Sequence, residues 1–139
     1  MTPYIVGITA AAVVALFAHF FKFDRDRSFY PTVLIVVASY YVLFAAMAGS
    51  ARAIMVELIV MMLFVAAAVT GMRSSQWFVV AGLAMHGLFD FFHGSIIDNP
   101  GVPGFWPGWC LAYDVVAAAG LAILVMRRMR PVALQPVVS

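Results

Sequence analysis

Long apolar runs, cut by short polar or turn-forming segments, dominate the chain. Five of them reach the roughly 20 residues that an α-helix needs to cross the hydrocarbon core of a bilayer. They are Tyr4–Phe21, Pro31–Gly49, Ala53–Gly71, Gln76–His93 and Pro107–Met126, the fourth with an extension to Ile97. The residues between them support these cuts. Pro31 and Pro107 stand at expected helix starts, where the missing N–H is not needed. Gly49 and Gly71 stand at expected helix ends, where a left-handed residue closes the last turn, and Asn99-Pro100-Gly101 reads as a turn. The connections are short except Gly94–Trp106, which is rich in proline and glycine. With no internal repeat and no linker, the pattern predicts an all-α fold, a five-helix transmembrane bundle forming one integral membrane domain over residues 1–139.

Composition narrows the class. Of the 139 residues, 65% are hydrophobic and 10% charged, against roughly 45–50% and 25% in an ordinary soluble domain. Mean hydropathy is +1.05. A disordered chain, a soluble enzyme and a nucleic-acid binder are excluded. The pI of 9.0 rests on eight scattered Lys and Arg, which make no phosphate-tracking groove. Met-Thr-Pro-Tyr carries no basic segment ahead of the first apolar run, whereas Lys22, Arg25 and Arg27 follow it. A cleaved signal has the opposite order, so this run is expected to stay as a helix.

Basic residues also give a direction. In a five-span bundle Lys22, Arg25, Arg27, Arg73, Arg127, Arg128 and Arg130 share one side, and Arg52 stands alone on the other. The positive-inside rule then predicts the N-terminus outside and the C-terminus in the cytoplasm. Trp106, Trp109 and Tyr4 would form an outer aromatic belt. The basic stretch Arg127-Arg128-Met129-Arg130 reads as a topology signal and a contact for lipid headgroups, and Asp24-Arg25-Asp26-Arg27 as a solvated turn. The expected partners are membrane lipids, with a homo-oligomer or membrane complex open, and no nucleic acid.

Candidate chemistry lies inside the spans, where an ionisable residue is costly and marks a functional site by default. His86, Asp90 and His93 occupy the outer half of the fourth helix. At about 100° per residue, Asp90 lies about 40° and His93 about −20° from His86, so the three share one face. Gly82 near that face and Gly87 beside it would let a neighbouring helix approach. Glu57 on the third helix and Asp114 on the fifth fall at a similar depth. Buried carboxylates with only Arg52 as a basic neighbour either take up protons or surround a cation. Two imidazoles with carboxylates suit Zn²⁺, Fe or Mn better than Ca²⁺ or Mg²⁺.

The metal reading makes His86, Asp90 and His93 the ligands and Glu57 and Asp114 the catalytic carboxylates, one acting as general base toward metal-bound water. A protonated hydrogen-bond network, or a pigment, haem or lipid pocket, fits the same residues. Other residues stand apart. His19 lies near the opposite end of the first helix. Ser39 is expected to bond its own backbone, and Tyr40 and Tyr41 to pack in the core, with a hydroxyl from either one as a second way to complete the site. Cys110, the one cysteine, reads as a small buried apolar residue.

The stretches FYPTVLIVVASYYVLF, HGLFDFFH and DNPGVPGFWPGWCLAYD resemble those of small bacterial integral membrane proteins of unassigned function, from Asp24 to about Met126. The resemblance implies a shared fold and a multi-pass place in the bacterial inner membrane. A looser likeness is to the alkaline ceramidase and progestin-receptor-like superfamily, which sets Ser, Asp and His around zinc near one membrane face. It implies such parts for Ser39, Asp90, His86 and His93, although that superfamily has more helices and a late His-x-x-x-His pair that this chain lacks. Three function classes follow: a metal-dependent hydrolase or oxidoreductase acting on a lipid-like substrate, a structural or accessory subunit, and a proton or ion transporter. The polar set spans only the outer half, which sets transport third.

Overall fold

A computed structural model describes residues 1–129 of the chain; Arg130, the last residue of the basic stretch, lies outside the described residues. Within them the fold is all-α: α1 Thr2–Phe20, α2 Phe29–Met47, α3 Ala51–Arg73, α4 Trp77–Ile96 and α5 Trp106–Met129, with one 3-10 turn at Phe23–Arg25. All five helices are long and apolar enough to cross a membrane.

The helix ends follow local chemistry. Gly49, at φ 68, closes α2: its N–H donates to Ala46 O, and the next N–H, of Ser50, reaches Ala45 O. This paired pattern is favoured by glycine, which has no Cβ to clash in the left-handed region. Ser50 then caps α3, its Oγ accepting from Ala53 N, and so starts the helix at Ala51 rather than Ala53. Gly71 does not end α3, which runs on to Arg73. A Cβ at Gly71 would collide with the Val79 side chain, so its role is close packing of α3 against α4. Helix α4 reaches Ile96, and α5 extends three residues past Met126.

In space α1 packs on α5, α5 on α4, α4 on α3 and α3 on α2, and α2 also touches α4. The core holds Leu34 and Val37 of α2, Val79 and Leu83 of α4, and Tyr113 and Leu121 of α5. The outer surface is apolar too: Leu16, Leu63 and Phe91 are each about two-thirds exposed. On α4 the buried residues are Val79, Gly82, Leu83, His86, Gly87, Asp90 and His93, the three-and-four spacing of a core-facing stripe. The stripe begins apolar and ends polar, so the titratable residues lie at the end of the bundle where α1, α3 and α5 begin.

The opposite end is tied by arginines. Arg128 donates to Asp24 O and Gln76 Oε1 at 3.0 Å, and Arg27 to Ser74 O at 2.7 Å. Asp24 is buried and pairs with His19 at 2.9 Å. The expectation of a solvated turn therefore fails at Asp24, because Arg128 folds over it. It holds at Asp26, an exposed carboxylate that accepts from Ser28 N–H and Oγ–H. Those donors hold it below the usual aspartate range.

Candidate functional site

The five singled-out residues, Glu57, His86, Asp90, His93 and Asp114, are all 2% exposed or less. They form two neighbouring groups. In the first, His86 Nδ1 lies 2.6 Å from Asp114 Oδ2 and 3.4 Å from Asp90 Oδ2. One ring hydrogen serves the nearer oxygen, and Asp90 Oδ2 and Asp114 Oδ1 are left buried with no hydrogen-bond partner. Tyr41 donates its hydroxyl to Asp90 Oδ1 at 2.6 Å. Cys110 Sγ–H points to Asp114 Oδ2 at 3.8 Å.

In the second group His93 Nε2 is 2.8 Å from Glu57 Oε1. The same oxygen accepts from Asn99 Nδ2 at 2.9 Å, and Asn99 also donates to Tyr41 O at 3.0 Å. Glu57 Oε1 thus takes two donors, which makes His93 Nε2 the protonated nitrogen of that ring. Asn99 is held in turn by Gly101 N–H on its Oδ1. Gly101 itself sits so close to Phe44 O that a Cβ there would strike the carbonyl. The loop after α4 therefore plugs the end of the bundle with an amide side chain.

Tyr41 joins the groups. Its ring stacks on His93, centroids 4.0 Å apart, while its hydroxyl reaches Asp90. Phe64 and Phe89 pack on His86 from the α3–α4 side. Gly87 brings α5 close, since a Cβ there would stand 3.4 Å from Asp114 Cβ. Among the described residues no Lys or Arg is buried, and Arg52 is exposed.

Among the described residues, one set of His, Cys, Asp or Glu has ligand atoms close enough to share a metal ion: His86, Asp90, Cys110 and Asp114, all within 4.8 Å of one another. His93 stands outside it, its Nε2 engaged by Glu57. Asp114 falls inside it, and Glu57 lies across Tyr41 from it. Ser39 joins neither group, because its Oγ donates to Val36 O on its own helix. Of the two tyrosines that could lend a hydroxyl, Tyr41 does so, whereas the turn and filler readings of Asn99 and Cys110 miss their place at the site. Of those last two, only Cys110 carries a signal, its four-residue spacing from Asp114. No family model, curated protein or solved structure matches the chain.

Proposed function

We propose that the chain is an integral membrane protein, N-terminus outside and C-terminus in the cytoplasm, organised around a metal-binding centre in its outer half. One observation carries this reading: two carboxylate oxygens are buried without partners beside an imidazole and a thiol, with no Lys or Arg among the described residues buried beside them. A cation would satisfy both oxygens, and buried polar atoms otherwise stand at a cost of about 1–3 kcal/mol each. The apolar outer surface and the basic residues gathered at one end support the membrane placement.

Such a centre would supply Lewis-acid or redox chemistry, as a hydrolase or oxidoreductase on a lipid-like substrate. Because its side chains are shut from solvent, a substrate would approach from the membrane side. A groove of about 510 Å³ lies between α1 and α2, but the one of about 650 Å³ between α3 and α4 is the relevant one, since Phe64 and Phe89 line it and pack on His86.

Elemental mass spectrometry of detergent-purified wild type and His86→Ala tests the reading. Near-stoichiometric zinc, iron or manganese that disappears in the variant supports it. Absence of metal from the wild type, even after metal addition, refutes it.

A second reading is favoured by the 2.6 Å contacts of His86 and Tyr41: a proton-shared network that holds α2, α4 and α5 together in a structural or accessory subunit. It expects Asp90→Asn to assemble almost normally, because a carboxamide keeps the bond from Tyr41. Proton transport has less support, since the connected network of Glu57, His86, Asp90, His93 and Asp114 stays in one half of the bundle.

A further inference from the structure

Two adjacent helices carry the same spacing of metal-ligating side chains. His86 and Asp90 are four residues apart on α4, and Cys110 and Asp114 four apart on α5. A four-residue step turns about 40° and keeps both members on one face. The helices run antiparallel, with Gln76 at the start of α4 bonded to Arg128 at the end of α5, so the two faces meet.

We propose that Cys110, together with His86, Asp90 and Asp114, holds one zinc ion, and that His93 is no ligand. This rests on the metal-centre reading above and assigns its ligands and its metal. Tetrahedral zinc, with bonds near 2.0–2.3 Å, places donor atoms roughly 3.3–3.7 Å apart. His86 Nδ1 to Asp90 Oδ2 is 3.4 Å and Cys110 Sγ to Asp114 Oδ2 is 3.8 Å, close to that spacing. The 2.6 Å contact of His86 with Asp114 Oδ2 must open, and donor pairs standing wider than this spacing, up to 4.8 Å apart, must draw in. Asp90 Oδ2, which has no hydrogen-bond partner, supplies one acceptor, and the Asp114 carboxylate, whose Oδ1 also has none, supplies the other. A thiolate in the donor set selects zinc over manganese or magnesium.

A metal ligand must be deprotonated, so a divalent ion held by a neutral imidazole, two carboxylates and a thiolate displaces to the buffer the Cys110 Sγ proton and the proton shared between His86 Nδ1 and Asp114 Oδ2. With four protein ligands the shell is closed, as in structural zinc sites, so turnover on a substrate would require one carboxylate to release the ion.

Cobalt(II) substitution tests the assignment. The detergent-purified chain is stripped with a chelator and reloaded with cobalt, and the near-ultraviolet thiolate-to-cobalt absorption is read in wild type, Cys110→Ser and His93→Gln. The expected result is one cobalt per wild-type chain with that band. Cys110→Ser should lose the band and bind more than about a hundredfold more weakly, beyond the roughly 10–100-fold that a residue behind a ligand costs, whereas His93→Gln should keep both. Cobalt bound without a thiolate band, and lost in His93→Gln, overturns the ligand assignment but leaves the metal centre standing. A wild type that takes up no metal overturns both. Should Cys110→Ser fail to fold, the wild-type spectrum alone decides, because a bound ion without the band excludes the thiolate.

Discussion

The two ends of the bundle handle charge in opposite ways. At the end where α1 begins, Glu57, Asp90 and Asp114 are buried and bond to other side chains, His93, Tyr41 and His86. At the other end one carboxylate, Asp24, is buried, but Arg27 and Arg128 are exposed and bond mainly to backbone carbonyls of Ser74 and Asp24. Carbonyls at a helix end lack intrahelical donors, so an arginine placed there satisfies groups that would be unpaired in any case. It costs little desolvation. The buried end gains nothing of that kind. Its carboxylates have left water for a handful of specific partners, which is expensive unless every partner stays in place. One end fastens the fold cheaply, and the other spends stability on a constellation that folding alone does not need.

The contrast predicts a steep ranking of substitutions. The largest effect belongs to Asp114→Ala, which strips His86 of its nearest acceptor in a dry interior. Breaking such a pair costs about 3–5 kcal/mol, and little monodisperse protein should survive size-exclusion chromatography in detergent. Tyr41→Phe should cost about 1–3 kcal/mol by leaving Asp90 Oδ1 without a donor, seen as a lower thermal midpoint. Gly101→Ala should fall in a similar range, about 1–3 kcal/mol for forcing a methyl against the Phe44 carbonyl. It should also raise hydrogen exchange at the amide of Val102, which donates to Asn99 O, because the loop must lift. Arg128→Ala, at the exposed end, should cost about 1 kcal/mol, as for other solvent-screened contacts.

Asp26→Asn should change the midpoint least. Asp26 is held below its ordinary value by Ser28, so its contribution is present above the unfolded aspartate value and is lost as pH falls through the folded one. A wild-type midpoint that drops in that acidic window more than the Asp26→Asn midpoint does would show the contact at work. An Arg128→Ala loss as large as that of Asp114→Ala would break the contrast between the ends.

Much of the fold was legible because one signal, apolar length, decides it. Ser50 captured α3 two residues early through its side chain, whereas α2 begins at Phe29, two residues before the expected Pro31, with no side-chain cap. Gly71 misled because a glycine that ends a helix and one that lets two helices touch look alike in sequence. The depth and shared face of His86, Asp90 and His93 followed from helical periodicity alone. Their division into two groups did not. It depends on Tyr41 standing between α2 and α4 and on Asn99 reaching in from a loop, and both are contacts between residues far apart along the chain. Cys110 was illegible for another reason: a single cysteine in an apolar run reads as a small apolar residue, and its spacing to Asp114 gains meaning only once α4 packs beside α5.

The packing of α1 on α5 has a consequence for how the protein is made. In the membrane placement proposed above, the ribosome would deliver α1 before the other four helices and α5 after them. Helix α1 would then wait in the lipid, through the synthesis of more than a hundred residues of the chain, for the surface of α5 on which it packs. Its Gly7 meets the Trp109 carbonyl so closely that a Cβ there would collide, which makes this last docking a tight one. A chain stalled before α5 would leave both α1 and the polar face of α4 without partners, a ready substrate for membrane proteases and chaperones. Assembly of the centre and closure of the bundle would thus occur as one late event, after translation rather than during it.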